Sequence, residues 1–321
     1  MNLPLNTNLT GKVAVVTGAA GTLCSVFSKA LAASGAKVAL LGRTYANVQK
    51  LAEEIAAEGG TAKAYECNVL DKAAVMACHE QVLADFGPCD ILINGAGGNH
   101  PDGTTGGETF LPEPAAPFSP DGIQADNTAQ KNRETAALSP DKQAASPDGR
   151  QAVQTAPNGK TFFELEPEAV GFVFDLNFLG VFLSTQVFTA DMTKGGGCII
   201  NISSMNAYRP LTKILAYSAA KAAVSNFTQW LAVHFAPCGI RVNAIAPGFF
   251  ATAQNKSLLF EPNGELSARS KKIISHTPMG RFGTPKDLLG ALRFLTDDNA
   301  SGFITGITLP VDGGFSAYSG V

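Results

Sequence analysis

The order of apolar runs along the chain restricts its fold more than any other feature of the sequence. Short runs of consecutive apolar residues alternate with segments of helical length, and the runs cover residues 13–17, 37–41, 91–94, 198–203, 240–246 and 305–311. Continuous rather than alternating hydrophobicity indicates strands buried on both faces, as in a parallel sheet that helices cover on each side. With right-handed crossovers, the sequence predicts an α/β fold with a doubly wound parallel sheet.

A ligand crevice is expected at the carboxyl ends of these strands, where open α/β sheets bind their ligands.

The chain has 321 residues, of which 45% are hydrophobic and 16% charged, so one large core can form without metals or disulfides. We therefore predict a single domain over residues 1–321.

Three side chains that follow the run 198–203 have the chemistry for moving one proton. Tyr217 and Lys221 lie four residues apart in an alanine-rich segment that should be helical, so both project from one helix face. A fixed lysine cation favours the phenolate, and we expect it to lower the pKa of the tyrosine and make it a general acid or base. Ser204 follows the strand directly, and its hydroxyl is expected to hold a carbonyl or alcohol oxygen of a substrate.

A tyrosine and a lysine at this spacing also occur in ordinary surface helices, so the rest of the chain decides the interpretation. Thr17-Gly18 follows the first run, Asn94-Gly95-Ala96-Gly97 follows the third, and Asn177 precedes a predicted helix. Together with Ser204, Tyr217 and Lys221, this order of motifs resembles the short-chain dehydrogenase/reductase family. The resemblance covers nearly the whole chain except residues 99–160.

The resemblance implies a Rossmann-like fold and an NAD(P)-dependent oxidoreductase that acts on alcohols and ketones. It assigns the general acid/base to Tyr217, the grip on the nicotinamide ribose to Lys221, the positioning of the substrate oxygen to Ser204, and a proton relay through water to Asn177. It also implies a homotetramer or homodimer, formed partly through the helices that carry Asn177 and Tyr217.

The cofactor loop departs from the family pattern. The usual Thr-Gly-x-x-x-Gly-x-Gly appears here as Thr17-Gly-Ala-Ala-Gly-Thr-Leu-Cys24, so that Thr22 and Cys24 replace the second and third glycines. Glycine normally lets the backbone approach the pyrophosphate and lets the helix pack on the strand. Small neighbours leave room, and the helix N-terminus offers free N–H groups to phosphate. We predict a variant dinucleotide site, with a structural turn as the alternative, formed by Gly18, Ala20, Gly21, Thr22 and Leu23.

The end of the second strand favours NADP as the cofactor, with NAD as an alternative. Enzymes that select NAD usually carry an acidic residue there, which accepts hydrogen bonds from the ribose hydroxyls. Gly42 occupies this position, and Arg43 follows, which is suited to a charge-assisted contact with a 2′-phosphate. A solvated surface arginine is the alternative reading of Arg43. The resemblance implies further cofactor contacts by Asn68, Val69, Asn94, Gly95, Ala96, Pro247, Gly248 and Thr252, besides Tyr217 and Lys221.

Residues 99–160 form an insertion relative to the family pattern. The segment holds eight acidic and five basic side chains, a difference equal to the net charge of −3 of the whole chain. Its many Pro, Ser, Thr and Gly residues are typical of a linker. Because the insertion leaves the sheet beside the expected crevice, we predict a substrate lid or an arm onto a neighbouring subunit, with a peripheral appendage as the alternative.

Polar residues between Ser204 and Tyr217 favour a polar or anionic substrate. Asn206, Arg209 and Lys213 lie in this segment, and the latter two are candidates for binding a carboxylate, or are solvated surface charges. The segment from Ser204 to Lys213 is similar to that of the D-mannonate oxidoreductase, or fructuronate reductase, subgroup. The resemblance implies a sugar acid as substrate, with another polyol or a 3-oxoacyl group as alternatives. A non-catalytic dinucleotide-binding regulator is the alternative from another functional class.

Composition limits the partners and the compartment. The net charge of −3 provides no basic surface for nucleic acid, and none of the histidines or cysteines has metal-ligand spacing, so we expect neither nucleic acid nor metal. Six cysteines without paired spacing indicate reduced core residues. The N-terminus lacks a basic start followed by an apolar stretch, and no apolar run approaches the length of a membrane span. We therefore expect a cytoplasmic protein without membrane contact.

Overall fold

The computed structural model describes residues 7–110, 159–252 and 255–320. Seven parallel strands form one sheet in the order β3-β2-β1-β4-β5-β6-β7. The strands are β1 (Val13–Thr17), β2 (Lys37–Gly42), β3 (Thr61–Glu66), β4 (Ile91–Asn94), β5 (Gly197–Ile202), β6 (Ile240–Pro247) and β7 (Thr308–Val311). The strand order reverses between β1 and β4, so the ligand crevice of a doubly wound sheet is expected beyond the ends of these two strands.

Helices cover both faces of the sheet, as the prediction of a doubly wound α/β fold requires. In the described part of the chain they are α1 (Thr22–Ala33), α2 (Tyr45–Ala57), α3 (Lys72–Phe86), α4 (Pro167–Phe174), α5 (Gly180–Met192), α6 (Leu215–Phe235), α7 (Lys256–Leu259), α8 (Ala268–Ser275), α9 (Leu289–Thr296) and α10 (Asp298–Ser301). The predicted fold class is confirmed.

Two apolar layers hold these helices to the sheet. Alternate residues along each strand point to opposite faces, so each strand contributes to both layers. On one face, Val16 and Ile200 pack with Phe27 of α1, and α2 and α9 complete the layer. On the other face, Val15 and Ile199 pack with Phe188 of α5, and α3 and α6 complete the layer.

The strand β3 is an addition to the six that the apolar runs predict. It pairs only with β2 at the edge of the sheet, and its sequence Thr-Ala-Lys-Ala-Tyr-Glu mixes exposed with buried positions. An edge strand is covered less completely than a central one, so it lacks the continuous apolar run that identified the others. At the opposite edge, β7 begins at Thr308, later than the predicted residue 305, after Gly306 with its positive φ of 83°.

One helical stretch corrects the expectation that no apolar run approaches the length of a membrane span. Helices α4 and α5 and the turn between them form a continuous stretch, Pro167–Met192, of 26 residues with a mean hydropathy of 1.5 in its most apolar window. Its inner side packs in the core through residues such as Val173, Val181 and Phe188. A helix that packs against a sheet on one side and against aromatic residues of α6 on the other has an apolar composition for that reason.

The two ends of the insertion meet beside the crevice. The Gly106 amide donates a hydrogen bond to the Lys160 carbonyl at 2.6 Å, so the chain enters and leaves the insertion at a closed neck. The predicted lid or subunit arm falls mostly on residues 111–158, which lie outside the described residues. The neck itself, residues 99–110 and 159–160, is part of the described structure.

Candidate active site

The predicted catalytic side chains converge beyond the carboxyl ends of β4 and β5. Ser204 follows β5, and Tyr217 and Lys221 project from the first turns of α6. Lys221 is 97% buried, and its Nζ lies 5.6 Å from the centre of the Tyr217 ring. Its ammonium donates a hydrogen bond of 2.8 Å to the Ile202 carbonyl at the end of β5, so the strand fixes the lysine.

The environment of Lys221 disfavours its charge. Burial lowers the pKa of the ammonium to about 8, while the nearby Cys24 thiol acts in the opposite direction. The lysine is therefore mostly a cation at neutral pH and begins to lose its proton as the pH approaches 8.

The pKa of Tyr217 moves in the direction opposite to the sequence prediction. Burial raises it above the ordinary value, and hydrogen bonding with Ser204 opposes this shift without reversing it. Because Lys221 directs its ammonium to the Ile202 carbonyl, desolvation of the phenolate decides the direction. The phenol is thus held in its protonated form, ready to donate a proton to a substrate oxygen.

Asn177 does not precede a helix, as the sequence predicted, but lies within a helical stretch. It belongs to a single π-helical turn, Asp175–Leu179, between α4 and α5, and its side chain is fully buried. Its Nδ2 donates to the carbonyls of Gly98 and Val173 at 2.6 and 2.8 Å, and its Oδ1 accepts from the Gly98 amide at 3.1 Å. A π-helical turn inside an α-helix often marks a functional position.

The turn after β4 ties Asn177 to the lysine. A Cβ atom on Gly97 would lie 2.6 Å from Asn177 Oδ1 and 3.2 Å from Lys221 Nζ, so only glycine fits there without displacing one of the two. The structure thus places Asn177 and Lys221 at this turn, Tyr217 beside Lys221, and Ser204 beside Tyr217.

The variant cofactor loop keeps the backbone features that a dinucleotide requires. Gly18 has a positive φ of 63°, and a Cβ there would lie 2.9 Å from the backbone of Ala96. Helix α1 begins after Gly21 without a side-chain cap, so its first N–H groups remain available to a phosphate. Ala20, Thr22 and Leu23 lie at this helix start. The residues present therefore fit a dinucleotide.

Cys24 explains how the loop tolerates the loss of its third glycine. Its side chain is buried against Gly95, where a Cβ would overlap the cysteine Sγ. The Thr17 hydroxyl accepts hydrogen bonds from the amides of Gly95 and Ala96 at 3.0 and 3.2 Å, which joins the ends of β1 and β4. The cysteine thus fills space beneath the loop and does not enter the crevice.

Other predicted cofactor residues have distinct surroundings. Asn94 is buried, and its Nδ2 donates to Thr185 and Asn201, so its side chain organises the core rather than the crevice. Arg43 is exposed and has no hydrogen bond or ion pair to any residue that the structure describes. Asn68 accepts from the Leu70 amide in a local turn, and Val69 is buried.

The turn after β6 is held by contacts on both sides. Pro247 ends the strand, and a Cβ on Gly248 would lie 2.6 Å from Asp312 Cα. The Thr252 amide donates to the Asn255 carboxamide at 2.8 Å. These three predicted cofactor residues therefore lie at or just after the carboxyl end of β6, three strands from β1, whose end carries the loop at Gly18.

The three predicted substrate residues divide into separate surroundings. Asn206 is 96% buried, its amide donates to Ser204 Oγ at 3.2 Å, and its Oδ1 has no hydrogen-bond partner among the described residues. Arg209 is exposed and donates to the Ser316 carbonyl. Lys213 adopts a positive φ of 76°, unlike every other non-glycine residue in the described ranges. Among those ranges, no three His, Cys, Asp or Glu side chains are placed to hold a metal ion.

The sequence did not predict the ion pair of Glu108 and Lys272, which lies near Lys213. Glu108, in the neck of the insertion, receives hydrogen bonds from Lys272 of α8 at 2.7 and 2.8 Å. The two residues are 164 positions apart, and only the folded chain brings them together. The acidic character of the insertion was the available signal, but it did not identify a partner.

Comparisons with known proteins identify the family of the chain. Residues 12–109 match the family model for short chain dehydrogenases, and residues 126–316 match the model called enoyl-(acyl carrier protein) reductase. An oxidoreductase of Haemophilus influenzae is 48% identical over 322 residues, covering 100% of this chain and 99% of the relative. One of Bacillus subtilis is 47% identical over 320 residues, covering 99% of this chain and 100% of the relative.

Solved structures extend the similarity to the fold. A protein from Haemophilus influenza proposed to be a D-mannonate oxidoreductase, with bound NAD, has a TM-score of 0.82 at 47% identity, with 100% of each chain covered. A gluconate 5-dehydrogenase from Burkholderia cenocepacia, in complex with NADP and tartrate, has a TM-score of 0.72 at 27% identity, with 98% of each chain covered. The chain therefore belongs to the short-chain dehydrogenase/reductase family of NAD(P)-dependent oxidoreductases.

Proposed function

We propose that this oxidoreductase transfers a hydride between NADP(H) and the alcohol or ketone carbon of a sugar acid, of the D-mannonate/D-fructuronate type. The observation that supports the reaction class is a connected set of side chains: Asn177 and Lys221 meet at the Gly97–Gly98 turn, Tyr217 lies beside Lys221, and Ser204 lies beside Tyr217. A ketone that accepts a hydride and one proton becomes an alcohol, so the protein has to supply the proton at the right atom.

Tyr217 donates that proton in the reductive direction. Its raised pKa keeps the phenol protonated near neutral pH, and the Ser204 hydroxyl holds the same substrate oxygen by a hydrogen bond. Lys221 places a cation beside the phenol ring, which limits the cost of the phenolate that forms. Asn177 fixes the Gly97–Gly98 turn and takes part in returning a proton to the site. The dinucleotide, when bound, supplies or accepts the hydride.

The binding of the dinucleotide is assigned to the loop at Gly18 and Gly21, the N-terminus of α1 and the turn at Gly248. Our proposal of NADP over NAD rests on the exposed Arg43 and on Gly42, which stands where an NAD-selective enzyme usually carries an acidic residue. A guanidinium in this place suits a 2′-phosphate. The relatives are compatible with either dinucleotide, since one solved neighbour holds NAD and another holds NADP.

The buried Asn206 carboxamide supports a polyhydroxylated substrate. Burying a polar atom without a partner costs free energy, and a carboxamide that turns toward the crevice would accept the missing hydrogen bond from a substrate hydroxyl near Ser204. A fatty acyl chain would leave this atom unpaired. Lys213 is the candidate for the carboxylate, whereas Arg209 reaches the C-terminal segment at Ser316.

An exposed aromatic surface on α5 and α6 supports a homotetramer or homodimer. Trp230 is 56% exposed and stacks between Phe227 and His234, with ring centres 6.3 and 4.5 Å apart. Phe182 of α5 adjoins Phe227 at 6.0 Å. Aromatic residues are enriched where subunits meet. The state of the cysteines supports a cytoplasmic location. All six are free thiols, five of them buried, as is usual for proteins in a reducing compartment.

The experiment follows the loss of reduced-nicotinamide absorbance with NADPH and, separately, NADH, on adding fructuronate, tagaturonate, 5-ketogluconate and an acetoacetyl thioester in turn. The proposal expects NADPH consumption with a sugar acid, and turnover with the thioester alone would refute it. Tyr217→Phe should abolish turnover and leave NADPH binding intact, while Tyr318→Phe, a change to an exposed tyrosine near the C-terminus, serves as the control. A chain that binds NADPH but reduces none of the four would instead be a non-catalytic regulator or act on another substrate.

A further inference from the structure

The neck of the insertion is fastened to two elements that border the crevice. The Thr105 amide donates to the Lys213 carbonyl at 2.9 Å. Three residues later, both carboxylate oxygens of Glu108 accept from Lys272 of α8. The neck thus connects the end of β4, the segment before Tyr217, and helix α8.

Lys272 contacts the carboxylate of Glu108, and the charges of two further cations act on it. The hydrogen bond from Lys272 is the main cause that lowers the pKa of Glu108, and the charges of Lys272, Lys213 and Arg269 act in the same direction. Arg269 and Lys272 lie three residues apart on α8, on one side of the helix. Together with Lys213 they give this spot three positive charges against one negative charge.

The connections of Lys213 and of the neck along the chain relate the three cations to the candidate active site. Lys213 lies four residues before Tyr217, and its left-handed backbone conformation, uncommon for a lysine, is held by the bond from Thr105. The neck starts from the Gly97–Gly98 turn that Asn177 fixes. The neck and the segment at Lys213 thus join the cluster through the chain to the Gly97–Gly98 turn and to Tyr217, and α8 adds the other two cations.

We propose that Lys272, together with Lys213 and Arg269, binds the carboxylate of the sugar acid, and that Glu108 occupies these cations until the substrate displaces it. This inference rests on the proposed function and adds the residues that recognise the acid group. Glu108 thereby acts as an internal competitor that ties the neck to α8 in the absence of substrate.

The strength of the Glu108–Lys272 pair suits an exchangeable contact. The side chains are 37% and 60% exposed, and such exposed pairs change an equilibrium constant by no more than about fivefold. A substrate carboxylate that takes the place of Glu108 therefore faces only a small penalty. A pair this exposed is also poorly suited to stabilising the fold.

The test compares two probes that differ only at one terminal group. D-gluconate carries a carboxylate where D-glucitol carries a hydroxymethyl group, and the affinity for each is measured by calorimetry in the presence of saturating NADPH. Lys272→Met should weaken gluconate binding about three- to tenfold, and Glu108→Gln should strengthen it up to about fivefold. Neither change should alter glucitol binding by more than about twofold, and added salt should weaken gluconate binding more in the wild type than in Lys272→Met.

Matched controls come from the same region. Lys271→Met removes a neighbouring exposed charge of α8, and Glu261→Gln neutralises an exposed carboxylate outside the cluster. If Lys272→Met and Lys271→Met behave alike, or if Glu108→Gln leaves gluconate affinity unchanged, the inference is overturned. A wild-type protein that binds gluconate through Lys272 but reduces no sugar acid would refute the proposed function and uphold the anion site.

Discussion

The contact between Cys24 and Gly95 predicts a coupled pair of substitutions. The Gly95→Ala change adds a Cβ that overlaps Cys24 Sγ and lies 3.0 Å from the Thr17 carbonyl. Overpacking a closed core site of this kind costs about 1–3 kcal/mol in the free energy of unfolding. The Cys24→Gly change restores the glycine of the family pattern, but it removes a buried thiol and places a glycine in α1, at a cost of about 1–2 kcal/mol.

The double variant separates a direct contact from two independent effects. If the thiol is the main obstacle to the new methyl group, removing it makes room, and Cys24→Gly/Gly95→Ala should be less stable than Cys24→Gly alone only by the small cost of the remaining contact with the Thr17 carbonyl. The coupling free energy is then about 1–3 kcal/mol, in the range found for residues in contact. Without the contact, the two costs should simply add.

The free energy of unfolding of the wild type, the two single variants and the double variant is measured by urea denaturation, followed by far-ultraviolet circular dichroism. Gly290→Ala is the matched control, because a Cβ at this position of α9 has nothing within 4 Å, and alanine in a helix should stabilise by up to about 1 kcal/mol. Costs that add to within about 0.5 kcal/mol would refute the reasoning. They would mean that Cys24 does not fill the space that a third glycine leaves open.

Three further predictions concern the site directly. Lys221→Met should abolish turnover, yet it should leave the fold at least as stable at pH 7, because folding lowers the lysine pKa from 10.5 to about 8 and the buried charge opposes folding. Below about pH 8 the lysine is protonated in both the folded and the unfolded state, so the buried charge destabilises the wild type fully, and between about pH 8 and 10.5 this destabilisation fades. The stability advantage of Lys221→Met should therefore shrink as the pH rises through this window. Thermal unfolding at several pH values checks this, and an advantage that grows with pH would contradict it. Gly97→Ala should reduce kcat about 100-fold and cost about 1–3 kcal/mol in the free energy of unfolding, because the new Cβ displaces the buried Asn177 Oδ1 or Lys221 Nζ; steady-state kinetics, at a temperature where a urea curve shows the variant to be folded, would disprove this if kcat stayed within threefold. Arg43→Ala should raise the KM for NADPH about 10- to 100-fold and leave that for NADH unchanged, with Lys50→Ala on the exposed side of α2 as control; equal effects on both cofactors would remove the 2′-phosphate role.

The central strands and the order of the motifs could be predicted from the sequence because both depend on local chemistry. Strands β1 and β4 matched their predicted bounds, since a run that is buried on both faces ends where the chain turns into the crevice. The helical spacing of Tyr217 and Lys221 likewise requires only one helix. The edge strand β3 escaped, because its exposed positions interrupt the apolar pattern.

Electrostatic details of the site depend on burial, which the sequence does not record. The prediction that Lys221 lowers the pKa of Tyr217 considered the charge but not the surroundings of the phenol. In the folded chain, desolvation acts on both groups and moves both toward their neutral forms. The same limit applies to Asn177, whose π-helical turn places its carboxamide against Gly98 through contacts across 79 positions.

The closed neck also explains how a long insertion can sit at the edge of an active site. The entropy lost in closing a loop depends on bringing its ends together and only weakly on its length, about 0.6 kcal/mol for each doubling. Here the ends are fixed by the bond from Gly106 to Lys160, and a Cβ on Gly106 would lie 2.8 Å from the Gly159 backbone. The neck is therefore closed by its own contacts, while two of its residues, Thr105 and Glu108, bond to Lys213 and to Lys272 of α8. Shortening the chain between Phe110 and Gly159 should thus preserve the fold and the Glu108–Lys272 pair, whereas cutting into the neck should affect substrate binding first.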